Sequence, residues 1–534
     1  MLSLNNSAAA CAANPPVTGL VIAFAAAIFL GCLVHGPSLL DDVDAANASI
    51  ARTMLESGDW VTARLNGVPY LEKAPLHQWL IAVSYMAFGV HDWAARVPLA
   101  VCVVLLCWTT TRFGNWAFGH PAGFYSGLVL ATCVGLFLFT RVLIADGLLT
   151  LTTTAALWAF LRALDSEEPN PRRWALLSAA SLGAGFLTKA LIALVLPLGA
   201  ALLYLTCTRQ LFAADTWRRL HLLSGSLVLV LMAAPWLVLA ILRNPPYFDF
   251  SLGGGPGQYN GFFWLFFINE HLLRFLNLRY PRDYDTVPRV YFWLLHLVWL
   301  FPWSVFLPAA TRLPYRPADR AGRTRILALC WVGFLLAFFS FSTTQEYYSM
   351  PLYPALALLL GSSLASENRW VRRGSFGLVL IFVAALVSVV VLLVATWNIP
   401  TPGDISTALV QNPEAYKLSL GHLGDLTVRS FAYLRQPLLL AGLAFLLGAI
   451  AVSCLRGPRS YLGLALIMCL FAHAATLAMR RFDPYLSSRP LAEALLHEPP
   501  GRLIVYDEYY AFSSVFFYAG CQALLVNGRI NDLE

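Results

Sequence analysis

Charge is what this sequence has least of: 12% of its 534 residues are Asp, Glu, Lys or Arg, against roughly 25% in soluble domains. With hydrophobic residues at 58%, that scarcity excludes a water-soluble globule and makes lipid the solvent. Metal-ligand spacing is also missing from the ten cysteines. Cys32, Cys102, Cys107, Cys133, Cys330, Cys454 and Cys469 fall inside apolar runs and read as packing residues. The first residues carry no charged n-region of a cleaved leader, so 17–35 is expected to be a retained span. Net charge is +7, but the arginines lie in short clusters between apolar runs, the distribution that orients membrane proteins. Nucleic acid is therefore not an expected partner.

What the sequence does have is apolar runs of spanning length, roughly 20 residues each, almost end to end. Thirteen are expected, near 17–35, 97–111, 122–140, 147–161, 174–188, 190–206, 221–243, 290–310, 326–341, 351–365, 375–398, 436–454 and 461–479. The fold class is an all-α polytopic membrane protein with residues 1–479 as one membrane domain. Placing the N-terminus in the cytoplasm puts Arg112, the groups around Arg173, Arg219 and Arg323, and those around Arg372 and Arg459 on the inside. Every inside loop is then short and arginine-bearing, as the positive-inside rule requires.

Three irregular pieces fall on the opposite face: 37–96, 244–289 and 399–435. Within the first, Pro75 to Gly89 is apolar but too short to span, and is expected to lie along the membrane as an interfacial helix. The tail, 480–534, reads as a small external α/β unit, helix-like over 489–497 and 510–518 and strand-like over 503–506 and 523–526. It stops abruptly at Asn531-Asp532-Leu533-Glu534, as an incomplete unit would.

The chemistry is expected in these external pieces. Asp41, Asp42 and Asp44 put three carboxylates within four residues. Such a cluster supplies a general base for a hydroxyl nucleophile, ligands for a hard cation, or simply the start of a helix. Lys73, Lys189, Arg274, Arg279 and Arg282 are positive on the side where topology gives them no purpose. They suit a phosphate, or else snorkel at the interface. Tyr70, Tyr347 and Tyr348 either donate to phosphate oxygens or belong to an aromatic belt.

Order and spacing make the pattern specific. The Asp-rich start, Gly58-Asp59-Trp60, Asn66-Gly67 and Tyr70-Leu71-Glu72-Lys73-Ala74-Pro75 resemble the first periplasmic loop of GT-C glycosyltransferases. Nearest are family 39 and the aminoarabinose transferases that modify lipid A. Further similar segments are Arg141 with Asp146, Phe186-Leu187-Thr188-Lys189 with Ala190 in place of a glycine, Asn269-Glu270-His271-x-x-Arg274-Phe275, and Phe341-Ser342 through Tyr348-Ser349-Met350-Pro351. The resemblance covers roughly residues 38–365.

It implies a GT-C fold in the bacterial inner membrane, with an active site facing the periplasm. There an inverting enzyme transfers a sugar from a polyprenyl-phosphate carrier to lipid A, another lipid or glycan, or a protein hydroxyl. Asp44 or Asp42 would be the base, Asp146 its support, and Lys73, Lys189, Arg274, Tyr70, Tyr347 and Tyr348 the phosphate site. Glu72 and His271 match positions that hold a divalent metal in the aminoarabinose transferases; no organic cofactor is implied. The sequence departs from the family where its Asp-Glu pair falls on Val43-Asp44, and where a late lysine is replaced by Gln345-Glu346. The competing class is a transporter or flippase of lipid-linked sugars, but the repeated halves common in transporters are absent from the sequence.

Overall fold

The computed structural model describes residues 15–255, 258–281, 286–342, 344–366, 368–416, 418–506 and 508–528. Arg282 and the terminal Asn531 to Glu534 lie outside them.

Each of the thirteen apolar stretches is helical. Among the described residues, seven helices are long and apolar enough to cross a membrane, and an eighth crossing arises if Arg289–Trp299 and Trp303–Ala310, bent by 96°, form one broken span. The molecule is thus a multi-pass helical membrane protein. The remaining stretches are shorter or interrupted. The apolar stretch at 122–140 divides into His120–Ala131 and Val134–Phe139, because Cys133 is extended and Val134 N–H donates across to the Phe301 carbonyl instead of continuing the helix.

These short helices are buried by their neighbours. Helix His120–Ala131 is held between Asp92–Phe118 and Tyr353–Ala365 at backbone distance. A Cβ on Gly361 would stand 2.2 Å from Ser126 Oγ, so only glycine permits the approach. Without a hydrophobic drive between helices in lipid, such small-residue contacts and interhelical hydrogen bonds supply the packing. Trp303 Nε1 donating to Thr132 Oγ1 at 2.9 Å is one such bond.

The two ends of the bundle differ in character. At one end Arg320 and Arg323 converge on Asp165 (2.8 and 3.1 Å), and Arg162 pairs with Glu168 at 2.6 Å. Asp146–Leu164 is 19 residues long, about 28 Å at 1.5 Å per residue. Its first residue, Asp146, is therefore far from that arginine cluster.

At the Asp146 end sits the first irregular piece. Leu76–Phe88 is the short helix expected there, and the Asp-rich segment begins a second helix, Val43–Ser57. The recurring motifs between them are turn chemistry. Gly58 closes the helix at φ +70°, and the Asp59 carboxylate accepts from Val61 N–H and Thr62 N–H and pairs with Arg243 at 2.8 Å. Asn66-Gly67, both at positive φ, turn a hairpin between Arg64–Leu65 and Val68–Pro69, as that dipeptide favours.

In the tail, helix Arg489–Leu495, strand Leu503–Tyr506, helix Ser513–Ala519 and strand Ala523–Val526 follow one another, with the strands paired in parallel. They pack on the first irregular piece. Ile50, Met54 and Leu65 share a cluster with Leu503, Tyr509, Phe516 and Leu525, and the Asn66 amide bonds both the N–H (3.0 Å) and carbonyl (2.9 Å) of Ala523.

Candidate functional site

Where these pieces meet the helix ends lies a cavity of about 370 Å³. Its wall is built from the first irregular piece (Asp42, Asn47, Tyr70, Glu72, Lys73, His77, Gln78), two helix ends (Asp146, Lys189), the second irregular piece (Glu270, His271, Arg274, Arg279), Tyr347 and Tyr348, and Tyr510 from the tail.

Glu270 is the hub. It sits in a π-helical stretch, Trp264–Leu273, a geometry that recurs at functional sites. The Asn269 amide bonds both backbone groups of Tyr280 and so folds the chain back, bringing Arg279 onto Glu270. The buried Glu270 carboxylate then accepts from Arg279, from Arg274 at 2.8 Å and from Lys73 at 3.4 Å. Burial opposes its ionisation, but Lys73, Arg279 and Arg274 outweigh burial and hold the carboxyl well below its usual range. It is therefore ionised at neutral pH and fixes three cations at one wall of the cavity.

Lys189 closes the ring. It ends the helix Pro171–Lys189 and its ammonium meets both oxygens of Asp146, at 2.8 and 2.9 Å. Ala190, which stands where the resembling family has glycine, adopts φ +47° and ψ −129°. This is glycine's territory, and the turn is made here at the expense of strain. The same ammonium lies 5.5 and 5.1 Å from the ring centres of Tyr347 and Tyr348. Tyr348 also accepts from Arg274 at 3.1 Å. Burial alone would raise its pKa, yet Arg274, Lys189 and Lys73 bring it below the usual phenol value.

The three aspartates part company. Asp42 is exposed and lines the cavity. Asp44 does not. Its side chain is fully buried; one oxygen accepts from Leu143 N–H at 2.7 Å and the other from Arg96 at 3.0 Å. Arg96 in turn holds the Ser38 carbonyl at 3.0 Å. Asp41 points into the tail, accepting from Ser488 and Ser514. Two residues separate these outcomes: Asp44 lies inside Val43–Ser57 on its buried face, and Asp42 precedes it as the N-cap. Arg141 stacks over Phe137 at 5.1 Å instead of lining the cavity.

Glu72 and His271 both line the cavity. Glu72 accepts from Tyr70 (3.4 Å) and pairs with Lys73 (3.5 Å) and Arg279 (3.8 Å). The His271 ring N–H donates to the Phe266 carbonyl, and burial lowers its basicity. Among the described residues no group of three His, Cys, Asp or Glu side chains is placed to hold a metal. Two such side chains alone do not complete a protein-built metal centre, which takes three or four ligands.

Glu270 was visible in the sequence as part of a motif without a role. His77, whose burial lowers its pKa to about 4, Gln78, Asn47 and Tyr510 carried no signal. Tyr510 reaches the cavity only because the tail folds back.

Known proteins resemble the chain in sequence and in fold. Residues 72–239 match the family described as dolichyl-phosphate-mannose-protein mannosyltransferase. An undecaprenyl phosphate-α-4-amino-4-deoxy-L-arabinose arabinosyl transferase of Pseudomonas fluorescens is 28% identical over 424 residues, 76% of this chain and 67% of the relative. The corresponding transferase of Aeromonas salmonicida is 29% identical over 64% of this chain and 60% of its own length. The matches thus span two thirds or less of these relatives. Among solved structures, ArnT of Cupriavidus metallidurans, bound to undecaprenyl phosphate, superposes with a TM-score of 0.78 over 98% of this chain and 87% of its own, at 23% identity. The oligosaccharyltransferase of Archaeoglobus fulgidus gives 0.53 over 96% of this chain and 63% of its own, at 10% identity. In sequence the chain resembles the aminoarabinose transferases, and over nearly its whole length it has their GT-C fold.

Proposed function

We propose that the protein is a glycosyltransferase that moves a sugar from a polyprenyl-phosphate carrier to a lipid of the bacterial envelope, with lipid A the first candidate, on the periplasmic side and with inversion. The observation that carries this reading is the composition of one cavity wall. Lys73, Lys189, Arg274 and Arg279 line the cavity together with Glu72, Asp146, Glu270 and Asp42, four cations against four carboxylates among the described residues. Four cationic side chains gathered in one cavity suit a phosphodiester, which guanidinium and ammonium groups bind directly. In the reaction the acceptor oxygen bonds to the anomeric carbon, and the bond from that carbon to the carrier phosphate breaks on the opposite face. The electron pair leaves with the phosphate, whose growing charge the cations and the acidified Tyr348 phenol stabilise. The proton of an acceptor hydroxyl passes to Asp42. Asp146 holds Lys189 in place.

Purified protein given a defined polyprenyl-phosphate sugar should transfer it, and a deletion strain should lack one sugar-modified envelope lipid of its parent. Carrier translocation without any glycosylated product would assign the chain to the transporters instead. Lys73→Ala should weaken donor binding by about 1.5–3 kcal/mol, the worth of a charge-assisted contact. Its side chain is 36% exposed, so the loss reports on binding more than on folding. Lys189→Ala should weaken binding similarly, but it also strips the buried Asp146 of its partner. Undiminished donor affinity in both variants would remove the lysines from the phosphate site.

Orientation is open to a separate test. Arg173 and Lys189 occupy opposite ends of one helix. A reporter fused after Arg173 should therefore give a cytoplasmic signal, and one at the tail a periplasmic signal. Two signals on one side would refute this orientation and the thirteen-span count.

A further inference from the structure

Asp42 stands at φ +74° and ψ −121°, a conformation that residues with a Cβ avoid. Its own helix holds only the carbonyl, which accepts from Ala46 N–H at 3.1 Å, and Asp42 makes no side-chain capping bond there. The restraint on its N–H comes from the far end of the chain. Asp42 N–H donates to Ser513 Oγ at 2.8 Å and to the Tyr510 carbonyl at 3.0 Å, and the Ser513 hydroxyl donates back to the Asp42 carbonyl at 3.3 Å. The preceding residue is fixed in the same way. Ser514 N–H and the Ser488 hydroxyl donate to the Asp41 carboxylate at 2.8 and 2.6 Å, and Asp41 N–H donates to the Leu486 carbonyl at 3.0 Å. Ser513 and Ser514 are fully buried.

These contacts clamp the backbone on both sides of one exposed carboxylate that lines the cavity. Backbone strain persists only where the surroundings over-determine it, and it clusters at functional sites. We infer that Ser513 is a positioning residue for the Asp42 carboxylate, so that the tail belongs to the active site although it supplies no reacting group. The inference rests on the reading of Asp42 as the base. Mechanistically, the two bonds to Ser513 tie together the two peptide planes that flank the Asp42 Cα and so restrain the direction in which the side chain leaves the backbone.

A double-mutant cycle separates positioning from simple structural support. Ser513→Ala, Asp42→Asn and the double variant would be compared for kcat, for donor KM and for thermal unfolding in detergent, with a radiolabelled donor so that residual turnover stays measurable. Misplacement of a reacting group by about 1 Å costs on the order of 10²-fold. Ser513→Ala should accordingly lower kcat by roughly 10- to 100-fold with donor KM and unfolding temperature near parental, and should cost nothing further in the Asp42→Asn background. Equal losses in both backgrounds, or no loss beside an inactive Asp42→Asn, would overturn the positioning role and leave the proposed function standing. Near-parental turnover in Asp42→Asn itself would overturn the underlying reading. Should Ser513→Ala not fold, Ser513→Cys fills the same space with a weaker donor and acceptor, and the same cycle decides.

Discussion

Asp42→Asn is expected to lower turnover by about 10² to 10⁴, the usual worth of a general base, while the protein still folds, inserts and binds its lipid donor. The amide keeps the size of the side chain and its hydrogen bonding but cannot take up a proton. Asp42 is exposed to the cavity, and the bonds that fix its backbone come from Ser513 and Tyr510 to its peptide groups, so the substitution leaves them intact. Turnover by the purified variant with a defined polyprenyl-phosphate sugar checks this, alongside donor affinity measured separately. An acceptor that attacks through an ionised phosphate would need no base. In that case Asp42→Asn would stay active with such an acceptor and fail only with hydroxyl acceptors.

Asp44→Asn should behave in the opposite way, losing stability first and activity only as a consequence. Asp44 and Arg96 form a pair with side chains 0% and 6% exposed. Removing one partner of a buried pair leaves an uncompensated charge and typically costs about 3–5 kcal/mol. Arg96 also ties the Ser38 carbonyl to this site, and the other Asp44 oxygen holds Leu143 N–H. The pair therefore links the first irregular piece to the turn before Asp146. Thermal unfolding and limited proteolysis in detergent should show the loss for Asp44→Asn and for Arg96→Ala alike. A stable, fully folded but inactive Asp44→Asn would return the base to Asp44.

The contrast between these two aspartates marks where sequence reading ran out. Spacing put the family's Asp-Glu pair on Val43-Asp44 and left Asp44 and Asp42 both as candidates, because spacing does not say which side of a helix faces solvent. Asp42 and Asp44 are two residues apart, and residues so spaced do not share a helix face. In the structure the later one is buried and the N-cap is left at the cavity. The motif residues themselves divided similarly. Asp59, Asn66 and Gly67 build turns and ties, whereas Lys73, Lys189 and Arg274 reach the cavity.

By itself the sequence determined the solvent, the succession of apolar helices, the irregular pieces between them, and the basic and tyrosine side chains that gather at one site. Each of these is a one-dimensional property: scarcity of charge, run length, and the positions at which charges interrupt the runs. Only the tertiary structure decided the rest. It made Glu270 the hub of three cations, engaged Glu72 and His271 with other partners, buried Asp44 on Arg96, and brought Tyr510 and Ser513 against Asp42. The physical reason is distance along the chain. Glu270 and Lys73 are 197 residues apart, and Asp42 and Ser513 are 471 apart, so no local pattern encodes contacts that exist only after the irregular pieces have folded against one another.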